Sequence, residues 1–131
     1  MIEVYTDGAS RGNPGRASSS FLFVENGRVL HFSSQYIGIA TNNVAEYTAM
    51  INALNFAIFK NIAPDVLVSD SELVVSQVNG IYRVKASHLK KLLDELLVLK
   101  ERFPMLKFVH SKRENKYIKV ADKLCNMMLD L

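Results

Sequence analysis

The chain has 131 residues, of which 49% are hydrophobic and 22% charged, with 16 Lys and Arg against 13 Asp and Glu. This length fits one folded domain spanning residues 1–131, and the composition excludes a disordered or fibrous protein. No apolar run reaches the roughly 18 residues of a membrane span, and the N-terminal residues lack a signal-peptide pattern, so we expect a cytoplasmic protein with no membrane partner.

The first 40 residues are rich in Val, Ile, Phe and Tyr, in runs that are typical of β-strands. The runs cover residues 2–6, 18–24 and 28–37. Asn26-Gly27 lies between the second and third runs, and Asn-Gly is a preferred sequence for a tight hairpin turn. The sequence therefore predicts three early strands that pair antiparallel.

The hydrophobic spacing changes at Val44, where apolar residues begin to recur every three or four positions and predict an amphipathic helix. Val66 to Val68 predicts a short buried strand. The remaining predicted elements are helices over about 71–79, 87–102 and 118–130 and a strand over 105–110. The order βββαβααβα predicts a mixed sheet with helices on both faces.

Positive charge is concentrated in the C-terminal half of the chain. Twelve of the 16 cations lie between Arg83 and Lys123, together with only five acids. This half is either a surface for a polyanion or a set of ordinary solvated helix faces, and the charge alone leaves both interpretations open.

Four acidic residues lie beside the ends of predicted elements or on the edge of an apolar stripe: Asp7, Glu46, Asp70 and Asp122. Ligand clefts in open sheets lie at the carboxyl ends of parallel central strands. Asp7 and Asp70 would meet there if the strands before them are parallel neighbours. Packing of the first and last helices across that end would add Glu46 and Asp122.

Each of these acids also has a role that needs no functional site. These roles are a hairpin turn for Asp7-Gly8, a capping box opened by Asn43 for Glu46, a cap of the helix that begins at Ser71 for Asp70, and an ion pair with Lys119 for Asp122. Taken singly, each such role is at least as plausible as a catalytic one. Taken together, the four placements favour a shared site.

A shared site of four carboxylates predicts bound cations, because the carboxylates would otherwise repel one another. Oxygen ligands without His or Cys favour Mg²⁺ or Mn²⁺ over zinc. Two such ions about 4 Å apart form a clamp for phosphodiester hydrolysis. The acids therefore predict a two-metal phosphodiesterase.

Four sequence blocks carry a family resemblance: "YTDGASRGNPG", "TNNVAEY", "VSDSELVVSQVNGIYRVK" and "VADKL". Their combination and order resemble type 1 ribonuclease H over essentially the whole chain. The resemblance implies the α/β ribonuclease H fold, with a five-stranded mixed sheet in the order 3-2-1-4-5 and helices on both faces.

The resemblance also implies an activity, namely endonucleolytic hydrolysis of the RNA strand of RNA/DNA hybrids to 5′-phosphate and 3′-hydroxyl ends. Asp7, Glu46, Asp70 and Asp122 fall on the family's catalytic metal ligands, for two Mg²⁺ or Mn²⁺ ions. The residues that fall on the family's substrate-contacting positions are Gly12, Asn13, Thr41, Asn42, Asn43, Ser71 and Gln77. Such contacts agree with an enzyme that reads the 2′-hydroxyl and the backbone rather than base edges.

The chain departs from the family pattern in its basic residues. The lysine- and arginine-rich protrusion of some members is missing, since only "GIYRVKA" separates the helical segments. We therefore expect the hybrid to be held by other cations, namely Arg83, Lys85, Lys90, Lys91 and the loop "SKRENK" with Arg113. Ser18-Ser19-Ser20 replaces the glycine-rich start that is common on the second strand.

The loop before Asp122 is a further departure, because it is about two residues longer than usual and displaces Asn115. The family often has a mobile His in this loop. His110 is the nearest candidate, and Arg113 or Glu114 are the alternatives.

Two other functions stay open from the sequence: a DNA nuclease of the same fold and a non-catalytic hybrid-binding domain. The blocks "GNPG" and "TNN" argue against the DNA nuclease, and the retained carboxylates argue against the pure binder. We expect a monomer, since no interface signal stands out.

Overall fold

The computed structural model describes residues 1–131 and contains five strands and four helices. In chain order the elements are β1 (Ile2–Arg11), β2 (Gly15–Glu25), β3 (Arg28–Ala40), α1 (Asn42–Lys60), β4 (Val66–Ser69), α2 (Glu72–Val78), α3 (Ser87–Lys100), β5 (Lys107–His110) and α4 (Lys116–Asp130). The predicted order βββαβααβα is confirmed. None of the four helices combines the length and the apolar character that crossing a membrane requires.

The strands form one sheet in the order β3-β2-β1-β4-β5, as the resemblance implied. β1, β2 and β3 pair antiparallel, whereas β4 is parallel to β1 and β5 is parallel to β4. The three early strands are longer than predicted because backbone pairing continues through polar residues. The β1–β2 ladder reaches Arg11 opposite Arg16, well beyond the apolar run that ended the predicted first strand.

Helices pack on both faces of the sheet and enclose two apolar clusters. The larger cluster lies between the sheet and α1, α2 and α3, and it includes Phe23, Leu54 and Leu96. The smaller cluster lies under α4 and includes Tyr5 and Ile118. Five of the six leucines of α3 belong to the larger cluster or pack against it, and Leu96 is fully buried.

Helix α1 approaches β1 very closely because small residues face each other there. Ala45 and Ala49 are fully buried on the helix, and a Cβ at Gly8 would overlap the backbone of Ala45 and Glu46. Glycine is the residue that permits such an approach. This contact holds the first turns of α1 against the middle of β1.

Helix α4 is attached to the sheet by buried serine hydroxyls. Ser18 Oγ donates to the carbonyl oxygen of Cys125 at 2.8 Å, and Ser20 Oγ donates to that of Ala121 at 2.6 Å. Ser18 and Ser20 thus have a structural role on the second strand, because their hydroxyls bind the helix that carries Asp122. Cys125 is a buried free thiol within this contact.

The helix caps and the extent of β1 exclude three of the structural roles considered for the acids. Thr41 caps α1 through Val44 N–H, so Asn43 does not open a capping box for Glu46. Ser71 caps α2 through Val74 N–H, which leaves Asp70 outside that role. Asp7 lies within β1 rather than in a hairpin turn, because the strand continues through it.

Candidate active site

Asp7 and Asp70 meet because β1 and β4 are parallel neighbours. The register pairs Tyr5 with Val68, so each aspartate lies two residues beyond the last paired position of its strand. β1 continues past Asp7 in its pairing with β2, whereas β4 ends at Ser69. The two carboxylates therefore lie side by side where the parallel pairing stops.

Glu46 reaches the same point from α1. The Gly8 N–H donates a hydrogen bond to Glu46 Oε1, and the close approach of α1 to Gly8 holds the glutamate there. One carboxylate oxygen from each of Asp7, Glu46 and Asp70 lies within 4.8 Å of the others. The three acids therefore form a compact cluster, although they are up to 63 positions apart in the chain.

Asp122 lines the same cleft from α4 but stands outside this compact cluster. The cleft has a volume of about 290 Å³, and all four acids contribute to its lining. Asp122 is exposed, and its Oδ2 accepts a hydrogen bond at 3.4 Å from Asn126 Nδ2, one turn further along the helix. The ion pair with Lys119 that the sequence left open is absent.

The electrostatics of the cluster disfavour its ionised form without a cation. Burial raises the pKa of Asp7 to about 8, and the charges of Asp70 and Asp122 act in the same direction. Burial also raises the pKa of Glu46 well above its usual range, with further contributions from Asp7 and Asp70. The Gly8 N–H and the Arg113 guanidinium oppose both shifts without cancelling them.

The donor set fits a hard divalent cation. It consists of carboxylate oxygens alone, and no His or Cys belongs to the cluster. Mg²⁺ and Mn²⁺ prefer such oxygen ligands, and a bound cation would remove the penalty that burial places on these charges.

Arg113 is the residue of the long loop that enters the cleft. Its Nε lies 3.5 Å from Asp70 Oδ2, and the side chain is otherwise largely exposed. His110 is the exposed last residue of β5 and does not line the cleft, and Glu114 does not line it either. Of the three candidates from this loop region, the structure places only Arg113 beside the acids.

The loops predicted to contact substrate are joined to one another at the rim of the cleft. The Asn42 N–H donates to Asn13 Oδ1 at 3.0 Å, and the Ser10 N–H donates to Asn42 Oδ1 at 2.9 Å. Asn42 and Asn43 line the cleft, whereas Asn13 contacts it only through Asn42. Gly12 adopts a positive φ of 103° in the same hairpin, a conformation that favours glycine.

Two of the predicted substrate contacts, Thr41 and Ser71, are helix caps, and only one of them lines the cleft. Ser71 lines the cleft, so it combines the capping of α2 with a place beside Asp70. Thr41 caps α1 and does not line the cleft.

A second cleft of about 550 Å³ lies between α2 and α3, and it contains several of the predicted basic contacts. Gln77, Arg83 and Lys90 line it. Gln77 is mostly buried, and its Oε1 accepts a hydrogen bond at 2.6 Å from the buried hydroxyl of Tyr47. Lys85 and Lys91 are exposed nearby in the chain but do not line this cleft.

Some residues of the two clefts were not predicted from the sequence. Gly8, Ala9 and Ser10 line the first cleft as the continuation of β1, and Tyr82 lines the second. The glycine directly after Asp7 was the available signal, since a glycine inside a strand often marks a close backbone approach.

Comparisons with known proteins point to one family. Residues 5–128 match a protein family described as reverse transcriptase-like. The chain is 36% identical over 132 residues to the bifunctional protein Rv2228c of Mycobacterium tuberculosis, an alignment that covers 98% of this chain and 35% of that protein. The chain thus spans about a third of the length of the curated relatives that it matches first.

Two solved structures resemble the chain over nearly all of both molecules. LC11-RNase H1, isolated from compost and solved in complex with an RNA/DNA hybrid, superposes with a TM-score of 0.90 at 41% identity, covering 99% of this chain and 97% of that one. RNase H1 from the halophilic archaeon Halobacterium salinarum superposes with a TM-score of 0.92 at 34% identity, covering 98% and 97%. The agreement therefore includes the whole sheet and all four helices.

Proposed function

The chain belongs to the type 1 ribonuclease H family, and we propose that it hydrolyses the RNA strand of RNA/DNA hybrids endonucleolytically, leaving 5′-phosphate and 3′-hydroxyl ends. The observation that carries this proposal is the cluster of Asp7, Glu46 and Asp70 within 4.8 Å of one another, with Asp122 in the same cleft. The hybrid bound by LC11-RNase H1, which shares the fold, supports the choice of substrate.

The four acids would hold two divalent ions, Mg²⁺ or Mn²⁺. When bound, such ions activate a water molecule and stabilise the leaving oxygen of a phosphodiester. The strand register that brings Asp7 and Asp70 together, and the hydrogen bond from Gly8 N–H to Glu46, support these three acids as ligands. Asp122 approaches from α4 and, being exposed, is free to adjust its side chain when the substrate arrives.

The rim of the cleft would position the RNA strand. Asn42 and Asn43 line the cleft at the N-terminus of α1, where backbone N–H groups favour an anion. The hydrogen bond from Asn42 N–H to Asn13 fixes the hairpin containing Gly12 against this helix end. Contacts of this kind recognise phosphate, sugar and 2′-hydroxyl groups and do not depend on base sequence.

The second cleft and the cations near it would hold the hybrid away from the reacting bond. Arg83 and Lys90 line that cleft beside Gln77, and Lys85 and Lys91 are exposed close by in the chain. Cations of this kind contribute to affinity through the phosphate backbone. This surface would replace the missing basic protrusion.

Residues 1–131 would act as one ribonuclease H domain. Every residue that lines the first cleft comes from a single copy of the chain, so the proposed activity requires only a monomer. We also propose a cytoplasmic location.

A gel assay with end-labelled substrates tests the function. Wild-type protein is incubated with an RNA/DNA hybrid, a DNA duplex and an RNA duplex of the same sequence, each with Mg²⁺, Mn²⁺ or a chelator. We expect cutting of the RNA strand of the hybrid, only with a divalent ion, and none with Asp7→Asn. Cutting of the DNA duplex instead would support a DNA nuclease of the same fold, and hybrid binding without cutting would support a non-catalytic domain.

A further inference from the structure

Strand β3 forms an open edge of the sheet. It has 13 residues and pairs with β2 on one side only, so the backbone groups on its other side are unpaired. Proteins usually protect such edges with charged residues or proline. From Val29 to Ala40 the strand contains no Lys, Arg, Asp, Glu or Pro.

Four apolar side chains of β3 share the face on which α4 lies. Ser34 points to that face, because its Oγ donates to the Leu124 carbonyl oxygen at 2.6 Å. Phe32 and Tyr36 are two residues to either side and therefore share its face. The β2–β3 register shifts by one residue between Val29 and Phe32, and again between Tyr36 and Ile39. Each shift reverses the alternation of side chains once, so Val29 and Ile39 point to the same face as Ser34.

These four side chains are exposed although they are apolar. Phe32 is 66% exposed, Ile39 69%, Tyr36 47% and Val29 44%. On the adjacent helix, Val120 and Met127 lie four residues before and three after Leu124, and both are exposed. A contiguous apolar surface of this kind marks an interaction site in a folded protein.

The order of the four residues is symmetric about Ser34. Phe32 and Tyr36 are each two positions away, and Val29 and Ile39 are each five positions away. In an antiparallel pair of identical strands centred on Ser34, Phe32 therefore lies opposite the partner's Tyr36, and Val29 lies opposite the partner's Ile39. Aromatic and β-branched cross-strand pairs of this kind are favourable.

We propose that β3 pairs antiparallel with β3 of a second copy of the chain, with Ser34 opposite the partner's Ser34. The interface is isologous, and the two sheets become one continuous sheet. An aromatic side chain can bury roughly 150–250 Å², so Phe32 and Tyr36 still have roughly 100 Å² each to bury. With Val29, Ile39 and the strand backbone from both copies, the buried area approaches the roughly 1,000 Å² of a specific interface.

The pairing leaves both candidate active sites open. The cleft lies at the end of the sheet toward which β1 and β3 both run, and antiparallel pairing turns the second copy around. The two clefts therefore face opposite ends of the joined sheet, and no residue of the compact acid cluster lies on β3. The inference is independent of the proposed function.

The oligomeric state tests the surface. Sedimentation velocity of the wild-type chain over a concentration series should show a dimer that dissociates on dilution. Phe32→Lys should raise the dimer dissociation constant at least about tenfold, because it places a charge in the centre of the interface. Met105→Lys is the matched control, since Met105 is 82% exposed just before β5, at the opposite edge of the sheet, and should leave the dimer unchanged.

Cysteine cross-linking tests the register. Directly opposite residues in an antiparallel pair have Cα atoms about 4.5 or 5.5 Å apart, within the range of a disulfide. Ser34→Cys should therefore form a covalent dimer under mild oxidation. Ser33→Cys should not form a covalent dimer, because residue 33 lies opposite the partner's Gln35. The two cysteines at position 33 are therefore too far apart to form a disulfide. The native Cys125 is buried and does not interfere.

Three results would overturn the proposal. The first is a wild-type chain that stays monomeric at the highest concentration tested. The second is a dimer that Met105→Lys weakens as much as Phe32→Lys does. The third is cross-linking that is equal at positions 33 and 34. Circular dichroism of each variant confirms that it is folded.

Discussion

The Nε atom of Arg113 lies 3.5 Å from Oδ2 of Asp70, across the mouth of the cleft that holds the acid cluster. The guanidinium also lowers the pKa values of Asp7 and Glu46, against the larger effects of burial and of the neighbouring carboxylates. Arg113 is thus the cation that the chain itself supplies to the site. It is also suitably placed to contact a phosphate, because the side chain is mostly exposed.

Arg113→Ala should lower kcat/KM for a hybrid by about tenfold or more, because a positive charge beside the reacting phosphate is lost. Lys112→Ala removes the neighbouring charge, which does not line the cleft, and should change kcat/KM by less than about twofold. Steady-state kinetics at fixed ionic strength measure both. A larger loss in His110→Ala than in Arg113→Ala would show that the exposed histidine at the end of β5, and not Arg113, is the functional residue of this loop region.

Asp7→Asn should stabilise the protein in the absence of divalent ions. The folded protein raises the pKa of Asp7 from 3.8 to about 8, so the stabilising effect of this group is complete below about pH 4 and is lost as the pH rises toward 8. Asparagine has no such loss. In chelator at pH 8, we expect the variant to unfold roughly 3–6 °C above wild type, the shift that about 1 kcal/mol produces in a domain of this size. Equal melting temperatures at pH 8 would contradict the pKa shift.

Divalent ions should bind more tightly as the pH rises. Protons compete with the metal for Asp7 and Glu46, because burial raises the pKa of both groups. The dissociation constant of Mg²⁺, measured by calorimetry without substrate, should fall as the pH rises toward 8, by about tenfold per pH unit for each proton displaced. Asp122→Asn should shift this pH dependence to lower pH, since the charge of Asp122 contributes to the raised pKa of Asp7. A dissociation constant that is flat between pH 6 and pH 8 would rule out proton competition.

The sequence was sufficient to predict the elements, because hydrophobic periodicity decides which faces are buried. It also predicted the meeting of Asp7 and Asp70, since two strands that are parallel neighbours must bring residues at equivalent positions together. The extension of β1 through Asp7 to Arg11 was missed, because backbone pairing with β2 continues where the apolar pattern stops.

Other features depend on contacts between distant parts of the chain and have no local signal. The serine run on β2 carries no sign of the carbonyl groups of α4 that its hydroxyls bind. The choice among His110, Arg113 and Glu114 depends on how the loop before α4 folds back toward the end of β4, and the sequence left it open. Thr41 and Ser71 cap α1 and α2, where the sequence offered Asn43 and Asp70, and only the backbone geometry shows which residue is the cap.

The basic surface at the second cleft should contribute to the salt dependence of hybrid binding. Lys90→Glu should weaken the binding of a hybrid to the Asp7→Asn protein and reduce the slope of log affinity against log salt by about one. Lys60→Glu is the control with the same charge change, because Lys60 ends α1 at the far end from the cleft. Fluorescence anisotropy over a salt series measures both. Equal slopes for the two variants would place the hybrid away from α3.

Tyr47→Phe should destabilise the protein and also weaken hybrid binding through Gln77. The Tyr47 hydroxyl is buried and donates to Gln77 Oε1 at 2.6 Å, so its removal leaves a buried carbonyl oxygen without a partner, at a cost of about 1–3 kcal/mol. Urea unfolding measures this loss. Tyr82→Phe is the control, because Tyr82 is an exposed residue that lines the same second cleft and its hydroxyl has no hydrogen-bond partner within the chain.

Since the hydroxyl of Tyr47 fixes the orientation of the Gln77 amide, Tyr47→Phe should also raise the dissociation constant for a hybrid in the Asp7→Asn background. Gln77→Ala combined with Tyr47→Phe should then bind no more weakly than Gln77→Ala alone, and additive losses of affinity would show that Tyr47 acts by another route.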